Sequence, residues 1–246
     1  MTTPVSQMAT GLRALMQDYE TVTHNLANSS TAGFKRRVNS FSAELARQQR
    51  LGEQRSLMNG RIDANGAIDF TQGVLSCTER PLDIALEGNG FIALDTPQGP
   101  LYTRNGALSI NLLNQLVDGS GRLVSGQNGP IVIPAAVTES DIRIDAGGTV
   151  YANEVELGRI RVVEFGDAID SLTPAGHGCF KAPRNQVPRE ATETKVRQGY
   201  QENSNVQMVH ELTGLISLSR MYEANINVLR KNRENSATLL EVARNA

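Results

Sequence analysis

Apolar residues at Val5, Met8, Leu12, Leu15, Tyr19, Val22 and Leu26 step by three and four positions along the first part of the chain. That spacing places them on one narrow stripe of an α-helix. The flanking Thr10, Arg13, Gln17, Asp18 and Glu20 are small or polar, so a helix over about residues 4–28, roughly 37 Å long, buries one edge only. The run Asn28-Ser29-Ser30-Thr31-Ala32-Gly33 favours turns and a terminal glycine and should end it. A second stripe, Leu215, Leu218, Tyr222, Asn225, Leu229, Asn232, Ser236, Leu239 and Ala243, predicts a helix over about 206–243, roughly 56 Å long and expected to protrude. Its polar members weaken the stripe but can set register and partner choice. Each seam needs a partner. We therefore expect the terminal helices to form a coiled coil with each other or with neighbouring copies. The assembly contacts would be Leu12, Leu15, Tyr19, Val22 and Leu26 at the front and Leu218, Tyr222 and Leu229 at the back.

Between the seams the period changes to two, at Leu82/Ile84/Leu86, Leu108/Ile110, Ile131/Ile133 and Ile142/Ile144, which predicts short strands. Glu87-Gly88-Asn89-Gly90, Asn105-Gly106, Asp118-Gly119 and Ala146-Gly147-Gly148 separate them and can supply the positive φ of tight hairpins. The expected class is α+β: a terminal-helix coiled-coil domain from residues 1–35 and 200–246, a connector over 36–74, and an antiparallel β-rich domain over 75–199. The connector, rich in Arg and Gln and ending in Asp63-Ala64-Asn65-Gly66, reads as extended or partly helical.

Composition narrows the function. A formal charge of -2 with both signs scattered gives no basic stripe for nucleic acid or an anionic membrane. Aromatics make up 4% and Trp is absent, which points to many turns and a modest core. Cys77 and Cys179 show no CxxC spacing and read as incidental or buried thiols. No apolar run is long enough to span a membrane, and the first residues lack the basic and apolar regions of a secretory signal. Neither membrane insertion nor a Sec-type route is expected.

Candidate chemistry adds little. Gly88-Asn89-Gly90-Phe91-Ile92-Ala93 fits a degenerate dinucleotide fingerprint, but Asp95-Thr96-Pro97 follows where a helix is required. His24, His177 and His210 fall in different predicted elements, and His177-Gly178-Cys179 supplies at most two zinc ligands. Asp63-Ala64-Asn65-Gly66-Ala67-Ile68-Asp69 lacks the closing Glu of a calcium loop. Asp141 and Asp145 flank an alternating segment and read as solvent-facing strand residues rather than an acid–base pair. We expect no catalytic residue, no cofactor and no metal. The rival reading is a self-contained β-rich hydrolase or carbohydrate-binding module on a coiled-coil stalk.

The run Asn25-Leu26-Ala27-Asn28-Ser29-Ser30-Thr31-Ala32-Gly33-Phe34-Lys35 resembles the N-terminal signature of flagellar rod and hook proteins, carried by Asn25, Leu26, Ala27, Asn28, Gly33 and Phe34. Arg80 to Phe91 and Tyr102 to Leu108 are similar to that family's β domain, and Gly199 to Val206 with Arg220 to Asn225 to its closing helix segment. Gly158 to Phe165 and Ser171 to Gly176 look more like its proximal rod members. The resemblance implies a structural, non-enzymatic subunit of the basal-body rod, a hollow axial shaft in the periplasm that transmits torque. It also implies export through the flagellar type III apparatus, with partners among other rod proteins and copies of itself. Phe41-Ser42-Ala43-Glu44-Leu45 is similar to the family's short export motif, with Phe41 and Leu45 as its key positions. An aromatic followed four residues later by an aliphatic is equally an ordinary helix pair.

Overall fold

The computed structural model describes residues 4–38 and 67–244. The chain divides into two compact units, one drawn from residues 1–27, 37–67 and 207–246 and the other from 28–36 and 68–206. We call them the helical unit and the β unit.

The helical unit contains α1 (Pro4–Ala27) and α2 (Met208–Arg244), packed on one another, and strand β1 (Arg37–Val38). The helices approach each other at Val22, where a Cβ placed on Gly214 would stand 4.0 Å from Val22 Cγ2. At 37 residues, α2 spans about 56 Å at 1.5 Å per residue. It continues through Asn225, whose side-chain amide donates to Met221 O of its own helix at 2.9 Å. Back-bonding of this kind satisfies a polar side chain without a cross-helix partner.

The β unit opens with the turn after α1, where Thr31 N donates to Asn28 O and Phe34 N to Thr31 O. Strand β2 (Ala67–Ile68) stands at its second entry. There follow β3 (Leu75–Cys77), β4 (Ile84–Glu87), β5 (Phe91–Asp95), β6 (Leu101–Thr103), β7 (Leu108–Ile110), β8 (Leu116–Asp118), β9 (Leu123–Gly126) and β10 (Gly129–Pro130). The remainder are β11 (Ile142–Ile144), β12 (Thr149–Ala152), β13 (Val155–Arg159), β14 (Val162–Glu164), β15 (Thr173–Gly176), β16 (Cys179–Lys181), β17 (Arg189–Glu190), β18 (Lys195–Gln198) and β19 (Tyr200–Glu202).

A ten-stranded sheet runs β15-β16-β6-β5-β9-β8-β7, with β10 on β9, β14 on β5 and β17 on β14. A separate sheet holds β11-β12-β13, and two pairs, β18-β4 and β19-β3, join the last strands to the first. The pairings are antiparallel, as a mixed helical and antiparallel chain with a β-rich middle requires. One core gathers Leu82, Ile84, Leu86, Ile92, Leu94 and Leu108 with Ile131, Ile133, Ile142, Ile144, Ile160 and Val196. A second is aromatic: Phe70, Phe91, Tyr102, Phe165 and Phe180 meet edge to face with centroids 4.9–6.0 Å apart, a favoured geometry for the ring quadrupole. A low aromatic content thus does not mean a dispersed one.

Three expectations change. In the turn between β8 and β9 the positive φ falls on Gly121 rather than on Gly119. Ile131 and Ile133 are buried but form no strand; only Val132 makes a bridge, to Gln115. Asn105-Gly106 is not a hairpin turn with positive φ, because Gly106 is absent from the positive-φ glycines and the strand before it pairs with β5 and β16 rather than with β7. Gly106 is required for close approach instead: a Cβ there would lie 1.8 Å from Ile84 O.

Candidate assembly interface

Within the helical unit, Leu12, Leu15, Val22 and Leu26 of α1 and Leu218 of α2 are half-buried, while Tyr19 and Tyr222 are exposed. Leu229 lies in α2. Around them Met16, Met208, Val209, Leu212, Ile216, Met221 and Val228 also face solvent. Among the helical residues whose burial is described, no apolar side chain is fully buried. Two helices laid side by side cover only one edge of each stripe. The remaining apolar surface faces solvent.

The side chains fully buried between these helices are polar. Asn25 and Glu211 are 0% and 1% exposed. The Asn25 amide donates to Arg37 O at 2.8 Å and to Glu211 Oε2 at 3.4 Å, and its Oδ1 accepts from Arg37 N at 2.8 Å. One side chain thereby fixes the last turn of α1 against β1 and the first turn of α2. A buried amide with its hydrogen bonds satisfied costs little and specifies one arrangement. His24 beside it has a lowered pKa, chiefly from burial and secondarily from the Arg37 charge.

The β unit holds a site that sequence patterning did not reveal. Lys35, Arg104 and Glu202 are 2%, 1% and 1% exposed. Lys35 Nζ donates to Glu202 Oε1 at 2.5 Å and to Thr71 O at 2.7 Å. Arg104 Nη1 reaches Glu202 Oε2 at 3.4 Å, Nη2 donates to Gly88 O at 2.6 Å, and Cζ stands 5.0 Å from the Phe91 ring centroid. Glu202 Oε1 also accepts from Gly73 N at 2.9 Å, and its backbone oxygen accepts from Gly33 N at 2.7 Å. Burial pulls the Lys35 ammonium and the Arg104 guanidinium down from their ordinary pKa values, with Glu202 opposing the shift in each. The arrangement is structural: Lys35 Nζ and both terminal nitrogens of Arg104 are directed at protein oxygen, Arg104 Nε is buried without a hydrogen-bond partner, and all three side chains are closed to solvent.

Family-like runs meet at this site. Gly33, Phe34 and Lys35 belong to the first, Gly88 and Phe91 to the second, Arg104 to the third and Glu202 to the fourth. Each carries a charge or glycine whose purpose is invisible until the chain closes. Gly33 has φ +67 and a Cβ there would lie 2.4 Å from Asn105 N, so no other residue fits. Phe34 is buried as well. Leu26 and Ala27 complete α1, and Asn28 anchors the turn after it.

The alternative chemistry gains no support. Asp141 Oδ2 accepts from Thr138 N and Oγ1, and Asp145 Oδ1 accepts from Gly147 N and Thr149 N; both carboxylates shape turns. Cys77 is exposed and Cys179 buried, both as free thiols. Among the described residues no group of His, Cys, Asp and Glu is arranged to hold a metal, and no helix is long and apolar enough to cross a membrane. Phe41 and Leu45 lie outside the described residues.

Comparison with known proteins places these features in context. Residues 85–152 match the family model described as the flagellar hook protein FlgE/F/G D1 domain, and residues 197–242 that of the flagellar basal body rod FlgEFG protein C-terminal region. Arg104 lies in the first matched stretch and Glu202 in the second. The chain is 31% identical over 249 residues to flagellar basal-body rod protein FlgG of Agrobacterium fabrum, covering 90% of this chain and 92% of that protein. It is 32% identical over 228 residues to FlgF of Escherichia coli, covering 86% of each. Against FlgF of Caulobacter vibrioides the identity is 28% over 228 residues, covering 92% of each.

Proposed function

The chain belongs to the flagellar basal-body rod protein family, and we propose that its terminal helices pair as a coiled coil and add to a helical axial shaft that transmits motor torque. It is a structural subunit of the basal body and not an enzyme. The incompletely covered apolar surface of the helix pair carries this reading: Met16, Tyr19, Ile216, Met221, Tyr222 and Val228 are exposed on α1 and α2. Contacts between neighbouring copies and with other rod proteins would bury that surface, and head-to-tail contacts that do not close into a ring extend a tube. Leu12, Leu15, Tyr19, Val22, Leu26, Leu218, Tyr222 and Leu229 are the assembly contacts of this proposal. Gly158 to Phe165 favours a proximal place in the rod. Export would proceed through the flagellar type III apparatus, with Phe41 and Leu45 as the gate-recognised pair.

In the free subunit the terminal helices are poorly ordered, and burial of their seams on incorporation offsets the entropy of ordering them. Amide hydrogen exchange on the dilute monomer beside basal-body-incorporated protein tests this. Fast exchange over 4–28 and 206–243 in the monomer, slowing on incorporation, is the expected result. Full protection of both ends in the monomer would overturn assembly-coupled folding and return weight to a self-contained stalked module.

A further inference from the structure

We propose that residues 194–205 are a closing strap that makes folding of the β unit wait for the C-terminal part of the chain. Among the described residues, β4 has β18 as its one strand partner and β3 has β19. Yet β4 supplies Ile84 and Leu86 to the main core, and Ala85 between them is fully buried as well. A central strand without its neighbour leaves buried backbone donors and acceptors unsatisfied.

The side chains of the strap repeat the point. Gln198 Nε2 donates to Pro81 O and Ile142 O, each at 2.8 Å, and its Oε1 accepts from Ile144 N at 2.9 Å. One amide thus ties β11 to the entrance of β4. Gly199 N donates to Asp83 O at 2.7 Å, and Gln201 Nε2 to Asp83 Oδ2 at 2.9 Å. Thr194 Oγ1 accepts from Gly90 N at 2.9 Å and donates to Glu164 Oε1 at 2.6 Å. Asn205 accepts from Arg36 N and donates to Asp69 O and Thr71 O. At the centre, Glu202 is the carboxylate in contact with both buried cations, Lys35 and Arg104.

Each interaction joins the strap to chain lying more than 25 residues earlier, and most span over 100. Without the strap, a unit assembled from residues 28–193 would keep two desolvated cations with no carboxylate in contact among the described residues, and a core strand bonded along one edge only, through Ile84 N to Gly106 O and Leu86 O to the Gln72 amide. Stability is a small difference between large terms, and such losses are among the few that remove it outright. Closure of the charge site and completion of the core are therefore one event. One consequence rests on the rod reading above: during export the β unit stays open until residues 194–205 can join it.

Refolding of the full-length protein from guanidinium, pulse-labelled with deuterium, tests the strap without reference to assembly. The amides of Ile84, Ala93 and Val196 are expected to gain protection in a single phase, with rate constants within about two-fold of one another. Gln198→Ala and Glu202→Gln should slow that phase by about ten-fold if their contacts form in the rate-limiting state. Protection of β5 about ten-fold or more ahead of residues 195–202 would overturn the proposal. If either variant fails to fold, the wild-type time course decides alone. A negative result leaves the rod reading intact, and failure of the protein to enter a rod leaves the strap intact.

Discussion

Lys35 and Glu202, 167 positions apart in sequence, are joined at 2.5 Å in a site closed to solvent. Their pairing sets the stability of the β unit through an asymmetry: a buried charge that loses its partner costs far more than the pair contributes. Glu202→Gln keeps the shape but leaves two buried cations facing a neutral amide. We expect a loss of about 3–5 kcal/mol, read by guanidinium unfolding of the full chain. A loss no larger than that of an exposed pair such as Arg197–Glu87 would show that the site is wet.

Gly33→Ala is expected to destabilise the same unit by about 2 kcal/mol or more, from the left-handed backbone together with the collision at Asn105. Gly11→Ala in α1, where a Cβ meets nothing within 4 Å, serves as the control and should be neutral or slightly stabilising. Thermal unfolding of both variants makes the comparison.

The pH response of the helical unit follows from His24, whose pKa burial holds below the ordinary 6.5 with the Arg37 charge as the second cause. The folded helical unit then binds fewer protons than the unfolded chain. Its His24 contribution is present in full above 6.5 and is lost as pH falls through the lowered value. Protection of residues 12–26 in incorporated protein should decline between about pH 7 and 5, and His24→Gln should flatten that decline.

Thiol labelling separates the two cysteines. Burial pushes the Cys179 thiol pKa upward, so the folded protein keeps it protonated and covered, while Cys77 is exposed. Iodoacetamide at neutral pH should modify Cys77 alone, with Cys179 reacting only on unfolding. Stability associated with the Cys179 thiol is present below its unfolded pKa and is lost as pH rises through the raised folded value.

Substitution of the seam separates assembly from folding. Leu15→Asp or Leu218→Asp should abolish incorporation and motility, while the β unit keeps its unfolding midpoint, since neither residue belongs to that unit. Swimming at the unsubstituted level with either variant would remove these positions from the interface.

The two helices, the strand-rich middle and the family could be read from the residues because each is written locally. Three-four stepping marks a helix whatever it packs against. Asn25 through Lys35 is a contiguous run whose identity survives without a fold. Alternation in Ile142 and Ile144 likewise marks β11. Strand partners were not legible: nothing near Ile84 indicates that its neighbour lies at Gln198, because sheet pairing is settled by contacts between segments far apart in sequence. For the same reason Ile131 and Ile133 alternate and are buried without becoming a strand, and Gly106 serves a close approach to Ile84 rather than a hairpin. The charge site was the hardest to anticipate. Lys35, Arg104 and Glu202 are charged residues in polar company, which sequence statistics assign to the surface. Only the closed tertiary structure gives each its counter-charge, and with it permission to be buried.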